Sequence, residues 1–98
     1  MIRNFGNKGS EDIWNGDNTA AARKIPRELW EVAHRKLDMI RAAHELGDLK
    51  IPPGNRLEKL KGDLKDYHSI RINDQYRIIF KWEQGAAHEV EIVDYHRG

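Results

Sequence analysis

The last third of the chain alternates apolar and polar positions with the period of two that a half-buried strand requires. In "SIRIN", Ile70 and Ile72 share one face, and Ser69, Arg71 and Asn73 share the other. In "YRIIFKW", Tyr76, Ile78, Phe80 and Trp82 form an apolar face opposite Arg77, Ile79 and Lys81. A third run, to Tyr95, sets Val90 and Ile92 against Glu91, Val93 and Tyr95. Upstream the period changes. Leu29, Ala33, Leu37, Ile40 and His44 recur at the spacing of one helix face, with Trp30 beside it, which predicts a helix over 26–46. Pro26 suits its first position and Gly47 the residue just past its end. "IPPGN" then excludes both helix and central strand.

The remaining segments are shorter. "IRNF", residues 2–5, reads as a first strand. "SEDIWNG" reads as a turn or two of helix, capped by Ser10 and stopped at Asn15-Gly16. "RLEKLKGDLKDYH" reads as a short strand and turn, anchored by Leu57, Leu60 and Leu64. The expected architecture is α+β: an N-terminal strand and helices packed on an antiparallel sheet of about four strands.

Register can be argued from the faces, since cross-strand partners point the same way. A three-residue loop, Asn73-Asp74-Gln75, pairs Ile72 with Tyr76 and Ile70 with Ile78. It also sets Arg71 directly opposite Arg77. A loop at Gly85-Ala86-Ala87 would pair Trp82 with Val90 and Phe80 with Ile92, and set Lys81 opposite Glu91 and Arg77 opposite Tyr95. One row then reads Arg71, Arg77, Tyr95. Like charges facing each other cost a few tenths to ~1 kcal/mol. A bound polyanion would offset that, because guanidinium forks match phosphate oxygens. The plainer alternative is that the two arginines splay into solvent or pair with Asp66 or Glu58.

Composition narrows the classes. With 98 residues, 34% charged and 39% apolar, one domain spanning 1–98 is expected. The chain has no cysteine, which excludes a disulfide framework and thiolate metal sites. No segment has the apolar length of a signal peptide or a membrane span, so a cytoplasmic location and no membrane partner are expected. Net charge is only +1, yet Lys50 to Lys81 carries eight basic residues against four acidic ones. Charge alone reads as a solvated mixture, while the row adds a candidate anion site.

The histidines (34, 44, 68, 88, 96) show no ligand spacing, and no Gly-rich phosphate loop or nucleophile elbow is present. No metal and no cofactor are expected. What remains is Lys61, Arg71, Arg77, Tyr95 and His96, with Glu58 nearby. Such a set can hold a phosphodiester, stabilise its transition-state charge and move protons. RNA supplies its own nucleophile, the 2′-hydroxyl, so RNA cleavage needs no more than this.

"RLEKLKGDLKDYHSIRINDQYRIIFKW" followed by "VEIVDYH" resembles the HigB toxins of the RelE/ParE superfamily over nearly the whole chain. The resemblance implies a RelE-like fold and ribosome-dependent mRNA cleavage in the ribosomal A site. It also implies a HigA-like helix-turn-helix antitoxin, with operator DNA contacted only through the complex of the two, in a bacterial cytoplasm. Residue by residue, Lys61 in "LKGD" matches the family's active-site lysine, Arg77 its arginine, Tyr95 its tyrosine and His96 the histidine that follows. Gln75 stands where some members have an asparagine, and Glu58 where some have a histidine. Lys61, Arg77, Tyr95, Gln75, Glu58 and His96 are thus the expected catalytic set, with Arg56, Lys59, Arg71, Asn73 and Lys81 expected to contact RNA. Two other functions fit the same fold: a ParE-like poison of DNA gyrase, and an inactive relative that only binds its antitoxin or RNA.

Overall fold

The computed structural model describes residues 1–95; His96, one of the expected site residues, lies outside them. Four strands form one antiparallel sheet in sequence order: β1 (Glu58–Lys59), β2 (Tyr67–Arg71), β3 (Tyr76–Glu83) and β4 (Ala86–Asp94). Helices α1 (Lys8–Asn15) and α2 (Trp30–Ala42) cover one face. The core between the layers is built from Ile13 of α1, Ala33, Leu37 and Ile40 of α2, and Ile70, Ile78, Phe80, Val90 and Ile92 of the sheet, all buried. All but Ile13 are positions that the two periodicities select. Among the described residues, no helix is long and apolar enough to cross a membrane.

The expected N-terminal strand is an interrupted one. Residues 2–5 run parallel to β4 with bridges only at Ile2–Ala87 and Phe5–Val90. The cap of α1 is Asn7, not Ser10: Asn7 Oδ1 accepts from the Ser10 amide at 2.9 Å. The expectation chose the wrong polar residue because Ser10 has a tertiary task. Its fully buried hydroxyl accepts the Ile92 amide of β4 at 2.8 Å. Gly16 does end the helix, in the left-handed conformation at φ 78°.

Helix α2 is shorter than its pattern. A 3₁₀ turn over Arg27–Leu29 leads into it, and it stops at Ala42 rather than near 46. Asp48 Oδ2 accepts the amides of His44 and Glu45 at 3.0 and 3.1 Å, which holds that backbone outside the helix. Gly47 is therefore not the cap residue, and His44 is exposed rather than part of the apolar stripe.

The first hairpin has the expected loop and register: Ile70 pairs with Ile78 and Arg71 with Arg77. Asn73 Oδ1 accepts the amides of Gln75 and Tyr76 at 2.9 and 2.7 Å and so shapes the loop. The second hairpin differs. Its turn is the two-residue Gln84-Gly85, both at positive φ (50° and 73°), which suits the twist of the strands. A bulge at Glu89 (φ 50°) then adds a residue between the Lys81–His88 and Ile79–Glu91 pairs. Before it Lys81 faces His88, three places from the expected Glu91; beyond it Arg77 faces Val93, two places from the expected Tyr95. The shift of two beyond the bulge keeps those side chains on their expected face, while the odd shift of three before it puts Ala87 rather than His88 on the core side. Asn4 Oδ1 takes the displaced Glu89 amide at 2.6 Å.

Two stability predictions follow from these ties. Ser10→Ala strands the buried Ile92 amide and should lower stability by about 1–3 kcal/mol in a urea titration. Asp12 is buried at 2% exposure, and Thr19 Oγ1 (2.6 Å) and then Lys8 Nζ (3.0 Å) hold its carboxyl below the ordinary value of 3.8. Its contribution is present above the unfolded value and lost as pH falls through the folded one. Asp12→Asn should therefore lower the melting temperature at pH 7, with the gap to the unsubstituted protein closing below about pH 4.

Candidate active site

The uncovered face of the sheet should be wet, yet its centre is dry. Ser69 (0%), Arg77 (6%) and Ile79 (3%) are all buried there. The strap of residues 49–57, β1 and Tyr95 close over Arg77. Its Nη1 donates to Ser69 Oγ at 2.9 Å and, at a long 3.5 Å, to the Arg56 carbonyl. Its Nη2 lies 3.4 Å from Glu58 Oε1, and the Tyr95 ring sits 5.3 Å from the guanidinium carbon. A buried guanidinium needs such neutralisation and acceptors. The ring supplies a cation–π contact.

The like-charged pair is thus resolved inside the protein. Arg71 and Arg77 are opposite in register, but their heads part: Arg77 turns to Glu58, and Arg71 pairs with the exposed Asp74 of its own loop. The plainer alternative held for Arg77, whose partner is indeed Glu58.

A shallow cleft of about 260 Å³ opens beside this pair, lined by Glu58, Lys59, Leu60, Lys61, Leu64 and Tyr95. Lys61 is exposed and caps the 3₁₀ turn Gly62–Leu64, with Gly62 at φ 65° turning the chain under it. Arg56 and Lys59 are exposed along the same sheet edge. Of the expected catalytic set, the fold therefore brings Glu58, Lys61, Arg77 and Tyr95 together. Gln75 lies at the end of the row, where its carbonyl accepts the Tyr95 amide at 2.7 Å and its amide donates to Asp94 at 3.0 Å. Of the expected RNA contacts, Asn73 is engaged in its loop and Lys81 belongs to a separate group. Lys81 Nζ is 2.7 Å from Glu89 and lies over the Tyr67 ring, which raises the lysine's pKa. Burial and then Glu89 push the Glu91 carboxyl up.

Sequence reasoning missed Ser69. It was on the right face, but nothing in a lone serine signals that its hydroxyl will meet an arginine eight residues away. Parity puts Arg77 on the face away from the core; its burial there comes from the strap, which has no periodicity to read.

Residues 3–96 match the model of the RelE-like toxin of the type II toxin–antitoxin system HigB. The chain belongs to the HigB-like toxin family. Toxin HigB-1 of Vibrio cholerae is 44% identical over 87 residues, covering 89% of this chain and 90% of its own. Endoribonuclease HigB of Proteus vulgaris is 30% identical over 96 residues, covering 98% of this chain and all of its own length. Membership in the HigB-like family implies an antitoxin partner.

The two arginines of the row should respond differently to removal. Arg71→Ala loses an exposed pair and should change stability by less than about 1 kcal/mol. Arg77→Ala leaves Ser69 and Glu58 facing a void and should cost about 3 kcal/mol. Chemical denaturation of the two variants side by side measures both.

Proposed function

We propose that the chain is the toxin of its system and acts as a ribosome-dependent endoribonuclease, cutting translated mRNA in the ribosomal A site without a metal ion and held in check by a HigA-like antitoxin. The observation that carries this is the convergence of Arg77, Tyr95, Glu58 and Lys61 around one cleft. The name of the Proteus vulgaris relative, an endoribonuclease, supports the same reaction.

In this reading the RNA 2′-oxygen attacks the adjacent phosphorus. A 2′,3′-cyclic phosphate forms and the bond to the 5′-oxygen breaks. One proton leaves the 2′-hydroxyl and one arrives on the 5′-oxygen. Arg77 holds the scissile phosphate, and Lys61 stabilises the charge that grows on it. Tyr95 orients or deprotonates the 2′-hydroxyl, with Glu58, Gln75 and His96 assisting. Arg56, Lys59 and Arg71 lie along the path of a bound strand. Because Tyr95 and Glu58 already occupy the Arg77 guanidinium, a phosphate must take over contacts they make.

The test is primer extension on a translated reporter mRNA in bacterial cells after brief induction. New 5′ ends inside the reading frame are expected, and they should vanish when the start codon is removed. Arg77→Ala and Tyr95→Phe should each reduce them at least ~10-fold, as loss of ~1.4 kcal/mol of transition-state contact gives. Full cleavage by both variants at equal expression would overturn the assignment of residues. Growth arrest with intact mRNA would move the target to gyrase, and no arrest with intact mRNA would leave a binding module.

A further inference from the structure

The strap that covers Arg77 is fastened to the opposite side of the molecule by one buried amide. Asn55 is fully buried, and its Nδ2 donates to the Leu49 carbonyl at 3.2 Å and the Ile51 carbonyl at 3.5 Å. Its Oδ1 accepts from Lys36 Nζ, on the inner face of α2 between Ala33 and Leu37. Met39, one turn along α2, lies under the same amide with its sulfur 3.9 Å away.

Lys36 is a costly choice for this place. It is only 8% exposed, and among the described residues no carboxylate pairs with it. Burial, and then Arg35 and Arg71, hold its amine below the ordinary lysine range. A methionine of similar length would fill the space with no ion to desolvate, but it could not donate to the buried Asn55 Oδ1. An ammonium here therefore serves the strap amide rather than the packing.

What the contact does fix is the geometry downstream. The residue after Asn55 is Arg56, held at φ 45°, ψ 57° in the left-handed region that a side chain rarely adopts. That conformation turns the Arg56 carbonyl to Arg77 Nη1 and sends the chain into Glu58, the partner of Nη2. Among the described residues, two of the three polar contacts to the Arg77 guanidinium thus come from the strap that Asn55 anchors and from β1 directly after it. We propose that Lys36 and Asn55 are a positioning pair: by pinning the strap to α2 they set the orientation of the Arg77 fork, without touching substrate themselves. The effect on rate rests on the ribonuclease reading above; the effect on Arg77 does not.

The experiment combines side-chain NMR of arginine-labelled protein with cleavage in cells. In the unsubstituted chain the Arg77 guanidinium should show separate, slowly rotating Nη signals, as a fork held on both arms would. Lys36→Met should keep the fold with a lowered melting temperature, because Asn55 Oδ1 loses its donor, and should merge those signals and reduce cleavage ~10-fold or more. On an Arg77→Ala background it should have no further effect. Asn55→Asp, which keeps an acceptor for Lys36 but loses both strap donors, should merge the signals as well and covers the case in which Lys36→Met does not fold. Unchanged Arg77 signals in a folded variant, or losses from Lys36→Met and Arg77→Ala that multiply, would overturn the proposal. If the unsubstituted chain cuts no mRNA, the ribonuclease reading fails and the spectra alone decide the pair.

Discussion

The rest of the structure depends on one constraint: a guanidinium sits in the dry centre of a sheet face that no helix covers. A cation in that position must be given acceptors and a lid, because its water is gone. Ser69 provides an acceptor from the neighbouring strand, the strap provides a carbonyl, β1 provides a carboxylate, and the residue after β4 provides the Tyr95 ring. The long, weakly structured stretch between α2 and β2 is intelligible in these terms. It is the wall of a charge-binding site rather than a connection that happens to be long.

Across this face the charges are unevenly spread. Arg56, Lys59, Lys61 and Lys65 are exposed along the β1 edge, while Glu89 and Glu91 line the β4 side. A polyanion is drawn to the first edge and repelled from the second, so the field gives the face a direction of approach. The Lys81–Glu89 pair sits at the boundary and blunts the acidic side. The helix-covered face carries the core and the other carries the buried Arg77 with its partners; Lys36, which reaches from the first to the strap of the second, crosses between them.

Much of this was legible in the sequence because period and parity are local properties. The core residues of β2 and β3, the three-residue loop at Asn73 and the facing of Arg71 to Arg77 follow from alternation alone. The candidate site was legible in part: Arg77 and Tyr95 from parity, and Lys61 and Glu58 with the help of the family's motifs. What was not legible depends on contacts between distant residues. Ser10 looked like a cap because serines cap helices, and only the packed sheet reveals its bond to Ile92. The end of α2 is set by the Asp48 carboxylate, which competes with helical bonding from outside the periodic stretch. The burial of Arg77 is decided by a strap without any repeat, and the bulge at Glu89 by its pairing with Asn4, 85 residues away.

That bulge behaves like a reading frame for the sheet. Counted from the Gln84-Gly85 turn alone, strand pairing would put Ile92 opposite Arg77 and aim Tyr95 at the helices. The single extra residue at Glu89 resets the count, so that β4 is read in the other phase from Glu91 onward. Were Glu89 paired regularly instead of bulged, the strand beyond it would be inverted, with Val90 and Ile92 turned to water and the aromatic lid to the core, whereas loss of the bulged residue itself would leave Ile92 opposite Ile78. A chain can drift by any even number and keep its active face, but an odd change is silent nowhere downstream.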